Sequence, residues 1–302
     1  MAVVVLLVLV LPALVVLLVS LGARGAALPD GAQRLRAVAR TTARWRWAGV
    51  GAGAVAVVVA AQVGSLGRGV MLAGPVFASC VLLGVLVGEL RVSPVRDAVR
   101  SASLETRRVR DYVPPLLTPA VAASVLVGAV LLAATTLTGS ADDLGRAGRQ
   151  LAYRCSDTMS GAAGPWPGSF YSVPLAAVVL GGLAAAALAL RAVVLRPRQG
   201  EDREVDAALR RHAARAVVAA TGLLVAVPLA GVSFVTALTM NNVARNLEDC
   251  PYPAAGMLSG PLVVAALAVG VLALNLGGFC VAALLRPVRL PAGASAGAVP
   301  VR

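Results

Sequence analysis

Two cysteines, Cys155 in "YRCSD" and Cys250 in "NLEDCPYP", stand in polar stretches between long apolar runs. Nucleophilic chemistry would need a base beside the thiol. The only histidine, His212, flanks an apolar run on the side predicted to be opposite. A zinc site would need clustered ligands, and there is neither a CxxC pair nor a second histidine. Pairing remains, and in an oxidising compartment Cys155–Cys250 is the expected disulfide. It would tie two loops into one cap. Cys80 and Cys280 lie inside apolar runs and read as small apolar fillers.

The next candidates are polar residues inside apolar runs. Asn275, in "LALNLGG", is expected to bond a neighbouring helix for about 0.6–2 kcal/mol, or else to contact a pore or substrate. Pro228 opens "PLAGVSFVTALT", where Ser233, Thr236 and Thr239 are expected to satisfy the carbonyls that a kink sets free. That helix is the candidate wall of a pathway. Glu89 sits at the end of its run, two residues before Arg91, and is expected to snorkel to the interface. His212 lies among arginines with no carboxylate four residues away, and is expected to face solvent or headgroups. Five acids, Asp142, Asp143, Asp157, Glu248 and Asp249, lie in the cysteine-bearing loops and read as solvated.

Several chemistries lack their residues. No Asp, Lys or Arg occupies the centre of an apolar run, which disfavours a carboxylate-relay transporter. There is no GxxxxGK[ST] and no HExxH, and no aspartate pair lies within the runs. The longest loop, about 33 residues, leaves no room for a water-facing enzyme domain. The chain therefore reads as non-enzymatic, with no metal site and no cofactor.

The elements that position these residues follow from composition. Of 302 residues 59% are apolar and 14% charged, against about 45–50% and about 25% in a soluble domain. The apolar residues fall in runs of about 20, the length needed to cross roughly 30 Å of hydrocarbon. The pattern predicts an all-α polytopic transmembrane bundle, a single integral membrane domain over 1–302. About seven spans are expected, at 3–21, 47–66, 70–90, 116–137, 173–195, 216–238 and 258–285. The outer loops are 139–172 and 239–257, and a disordered tail follows at 288–302.

Charge orients the bundle. Every basic residue is Arg, and 22 of the 27 fall in the segments alternating on one side, with nine of the 14 acids. The other side carries five of each, so the net charge of +13 lies on one face. By the positive-inside rule that face is cytoplasmic, with the N-terminus outside and the C-terminus inside. This charge lies between apolar runs and forms no soluble basic stripe, so nucleic acid is not an expected partner. Anionic lipid headgroups at the Arg-rich cytoplasmic face are expected partners, with a membrane or cytoplasmic protein as a further one.

Three local expectations complete the reading. "ADDLGRAGRQLAYRC" predicts a short amphipathic helix with Leu144, Leu151 and Tyr153 on one side. Trp166, Phe170 and Tyr171 read as an interfacial aromatic belt. "EDREVDAALRRHAARAVV" predicts a cytoplasmic helix with an Asp206–Arg210 pair at i,i+4. Gly49–Gly53 and Gly84–Gly88 fall at matching depth in adjacent antiparallel spans, where close helix packing is expected.

With no Lys or Ile and abundant Ala, Val, Leu, Gly and Arg, the chain resembles uncharacterised multi-pass membrane proteins of high-GC actinobacteria. The resemblance is one of composition, carries no motif and implies no activity. The leading expectation is an accessory, sensing or complex-forming membrane component. The alternative is a permease or channel-like transporter for an uncharged or amphipathic solute.

Overall fold

The computed structural model describes residues 33–62, 66–92, 108–154, 156, 159–196, 203–246 and 260–286. Six α-helices account for most of them: α1 (Gln33–Gln62), α2 (Arg68–Leu90), α3 (Leu117–Thr138), α4 (Ser169–Leu195), α5 (Arg203–Asn246) and α6 (Pro261–Leu285). One 3-10 turn, Val109–Asp111, precedes α3, and two short strands, β1 (Leu151–Arg154) and β2 (Ser160–Ala163), lie between α3 and α4.

Five helices, α2 to α6, are long and apolar enough to cross a membrane. α1 is not, because its first half carries arginines up to Arg46 and only about four turns of apolar helix follow. The expected span 3–21, the tail 288–302 and both Cys155 and Cys250 lie outside the described residues. Among the described residues Cys80 and Cys280 are free thiols and there is no disulfide.

α5 is the axis of the bundle. Its most apolar stretch is 78% buried, against 11% for α3, and it packs on α2, α3, α4 and α6. The predicted cytoplasmic helix and the predicted span at 216–238 are one element: α5 runs unbroken for 44 residues. At 1.5 Å per residue that is about 66 Å, roughly twice the hydrocarbon thickness. Nothing from Arg203 to Ala216 breaks a helix. Small residues on α5 (Ala219, Ala220, Ala226, Ala230) let its neighbours approach closely.

α1 packs on α2 alone among the substantial contacts. The reason is small residues. A Cβ on Gly49 would stand 2.7 Å from the Cys80 carbonyl oxygen, and one on Gly84 2.6 Å from that of Trp45. Gly53 faces Phe77 and Gly88 faces Thr42 and Trp45, so the two helices run antiparallel at the expected depth.

The connection from α3 to α4 is not a helix. β1 and β2 pair antiparallel, with Leu151 opposite Ala163 and Tyr153 opposite Gly161. Gly161 leaves the space that the Tyr153 ring occupies. Ahead of them, Gly145 and Gly148 hold left-handed φ values of 74° and 72°, which interrupt any helix there. Asp142 organises this turn. Its carboxylate accepts from the backbone N–H of Leu144 (3.1 Å) and Arg146 (2.8 Å), from Arg146 Nε (2.7 Å) and from Arg149.

The aromatic stretch points inward and is not a lipid-facing belt. Trp166 and Tyr171 are buried. Trp166 Nε1 donates to the Thr135 carbonyl (2.8 Å), and the Tyr171 hydroxyl donates to that of Leu66 (2.9 Å). Thr239 of α5 donates to the Pro165 carbonyl (2.6 Å). These bonds tie the connection to the start of α2 and the ends of α3 and α5.

Candidate functional site: a charged cavity at the arginine-rich end

At the opposite end of the bundle four ionisable side chains are buried together. α4 stops at Leu195 because Pro197 follows and pushes Arg196 into an extended conformation (φ −52°, ψ 132°). Arg196 Nη1 then reaches Glu89 of α2 at 3.0 Å, and its Nη2 lies 3.6 Å from Asp206 of α5. Asp206 accepts from Arg210 Nε one helical turn on, at 2.8 Å. Arg210 is almost completely buried and donates its remaining N–H groups to the carbonyls of Val193 and Val194 (2.9 Å each) and Arg196 (2.6 Å). It thus satisfies carbonyls that the end of α4 leaves without helical partners.

The predicted Asp206–Arg210 pair is present. Glu89 is not a snorkelling residue: it is buried and salt-bridged, because the ends of α2 and α4 meet at the same depth. Two acids and two arginines make the quartet neutral as a unit.

Beside it lies a cavity of about 270 Å3. α1 contributes Thr42 and Arg46, α2 contributes Val85 and Glu89, and α5 contributes Leu209, His212 and Ala216. Arg196, Leu285 and Arg286 complete the wall. His212 does not face open solvent. Arg46 Nη1 lies 3.3 Å from its Nε2. A guanidinium only donates, so Nε2 accepts and the ring is neutral with its proton on Nδ1. Nδ1 is buried and has no hydrogen-bond partner among the described residues.

A second cavity, about 550 Å3 and almost wholly apolar, opens between α3, α4 and α5. Its wall includes Val125, Leu132, Leu175, Val225, Pro228 and Val232. Of the residues expected to line a pathway, only Pro228 borders it. Asn275 Nδ2 donates to the Val271 carbonyl of its own helix (2.8 Å), not to a neighbouring helix. Ser233 and Thr236 are buried, and among the described residues neither hydroxyl has a hydrogen-bond partner, so they do not satisfy carbonyls freed by Pro228. Neither cavity is bordered by Asn275, Ser233 or Thr236.

At the far end, desolvation raises the Asp142 carboxyl, but the bonds from Arg146, Arg149 and Leu144 outweigh it and hold its pKa at about 2. Arg68 and Arg149 lie 5.2 and 5.4 Å from the Phe170 ring centre. This carboxylate is occupied in holding its loop. Asp157, Glu248 and Asp249 lie outside the described residues.

No protein-family model, characterised protein or solved structure matches the chain.

Proposed function

We propose that the chain is a non-catalytic multi-pass protein of a bacterial plasma membrane, an accessory, sensing or complex-forming component. Its arginine-rich end is cytoplasmic and its strand-bearing end is outside. One observation carries this reading: the buried charges sit at one end and neutralise one another, while the stretch of α5 above them is apolar and buried. α5 lines the middle with Ala, Val and Leu, and among the described residues its buried hydroxyls at Ser233 and Thr236 meet no polar partner. A solute path would need groups that replace water along its length.

A permease for an uncharged or amphipathic solute is the second reading. Its support is the apolar cavity that reaches Pro228.

Thiol accessibility separates the two. With the native cysteines replaced, Ser233→Cys and Thr236→Cys are expected to resist a membrane-impermeant maleimide in intact cells. Leu144→Cys, in the exposed turn before β1, is expected to label, and Arg44→Cys only after permeabilisation. Rapid labelling at Ser233→Cys would replace the non-conducting reading by the permease. Inverted labelling of positions 44 and 144 would reverse the orientation.

A further inference from the structure

We propose that the cavity at the arginine-rich end binds a phosphate group, and that Arg46 and Arg286 are the residues that hold it.

The argument begins with charge balance. Glu89, Arg196, Asp206 and Arg210 compensate one another. The remaining charged groups on the cavity wall are Arg46 and Arg286. Among the described residues neither has a carboxylate within ion-pair distance. Among the described residues the polar contact of Arg46 is with the neutral ring of His212, and Arg286 lies 5.9 Å from the Phe279 ring centre. Both are half-buried, so solvent screens their charge less than that of an arginine projecting into water. The ring of His212, which accepts from Arg46 through Nε2, stands on the same wall. Two guanidinium groups without a carboxylate, on the wall of one cavity, describe a receptor for an oxyanion.

Size and access narrow the class. The cavity is smaller than the roughly 300–1,000 Å3 of drug-sized pockets, so it suits a phosphate with a few attached atoms and not a nucleotide. α1 and α6 frame it without packing substantially on each other. The gap lies at the level where the apolar spans end, which is where headgroups of the adjacent leaflet lie. The phosphate could come from an anionic lipid that enters sideways, or from free phosphate in water.

Binding to the full chain in phosphatidylcholine nanodiscs tests the site and its source. Phosphatidylglycerol and inorganic phosphate are titrated separately, with occupancy read by native mass spectrometry and by the shift in Tm. One bound phosphatidylglycerol per chain, or saturable stabilisation by inorganic phosphate, is the expected result. The first outcome makes the lipid the occupant and the second the free anion. Arg46→Gln and Arg286→Gln should each weaken binding by about tenfold, the loss of one charge-assisted contact. Arg46→Lys should keep part of it. The joint variant Arg40→Gln/Arg44→Gln removes two exposed arginines from α1 and should bind as wild type does. Equal weakening by that control would mean diffuse attraction to an arginine-rich face and would overturn the site, as would a wild-type chain that ignores both probes. Neither Arg46 nor Arg286 is salt-bridged, so the unliganded variants should melt near wild type. Labelling at position 233 does not depend on this result, so the two proposals can fail separately.

Discussion

Arg210 shows what a single buried charge does here. It is held by Asp206 and three carbonyls, and truncating one partner of such a network leaves the others desolvated and unpaired. Arg210→Ala is expected to cost about 3–5 kcal/mol, seen as a large fall in Tm in detergent. Arg210→Lys should recover only part, because an ammonium cannot span all four acceptors. Replacing both Glu89 and Arg196 by Met should cost less than replacing either alone, since no orphaned charge remains. Asp142 gives the pH counterpart at the other end. Its folded pKa of about 2 lies below the ordinary carboxylate value. Its contribution is therefore complete above about pH 5 and lost as pH falls towards 2. Amide exchange of residues 140–150 should speed up in that window and be flat above it. The Asp206–Arg210 pair was legible because both partners lie on one helix turn. Glu89 and Arg196 are 107 residues apart, and only the folded bundle shows that two span ends coincide.

At the scale of elements, the α1–α2 contact was legible but indistinct. The chain has 31 glycines, so the spacing alone separates no packed pair from the rest. Sterics do separate them. Gly84→Leu must displace the backbone of α1 and is expected to destabilise by about 1–3 kcal/mol. Gly51→Ala, with nothing within 4 Å of the new methyl, is expected to be neutral or to stabilise by up to about 1 kcal/mol. Comparative urea or thermal melts of the two variants check both. The strands between α3 and α4 were missed for a definite reason. Leu144 and Leu151, seven residues apart, share a helix face, but Tyr153 falls opposite; Leu151 and Tyr153 instead alternate with Ala152 and Arg154 at the strand period. The glycines at 145 and 148 favoured the second pattern, and Leu144 is left exposed.

For the whole molecule, the bilayer made most of the architecture readable. Runs of apolar residues set the helices, and charge set which ends belong together. The ends carrying Arg46, Glu89, Arg196, His212 and Arg286 do share one cavity. What composition could not disclose was which polar side chains turn inward. Hydropathy measures the average cost of leaving water, while burial of a particular Arg or His depends on partners brought in from other helices. The continuity of α5 has a mechanical meaning. Arg210 and Thr239, about 44 Å apart along the axis, belong to one rod. The first is clamped to the end of α4, and the second holds the Pro165 carbonyl. With no loop between them to absorb displacement, a tilt imposed at one end of the bundle is delivered to the other as by a lever. Pro228, the one interior proline of α5, is the natural fulcrum.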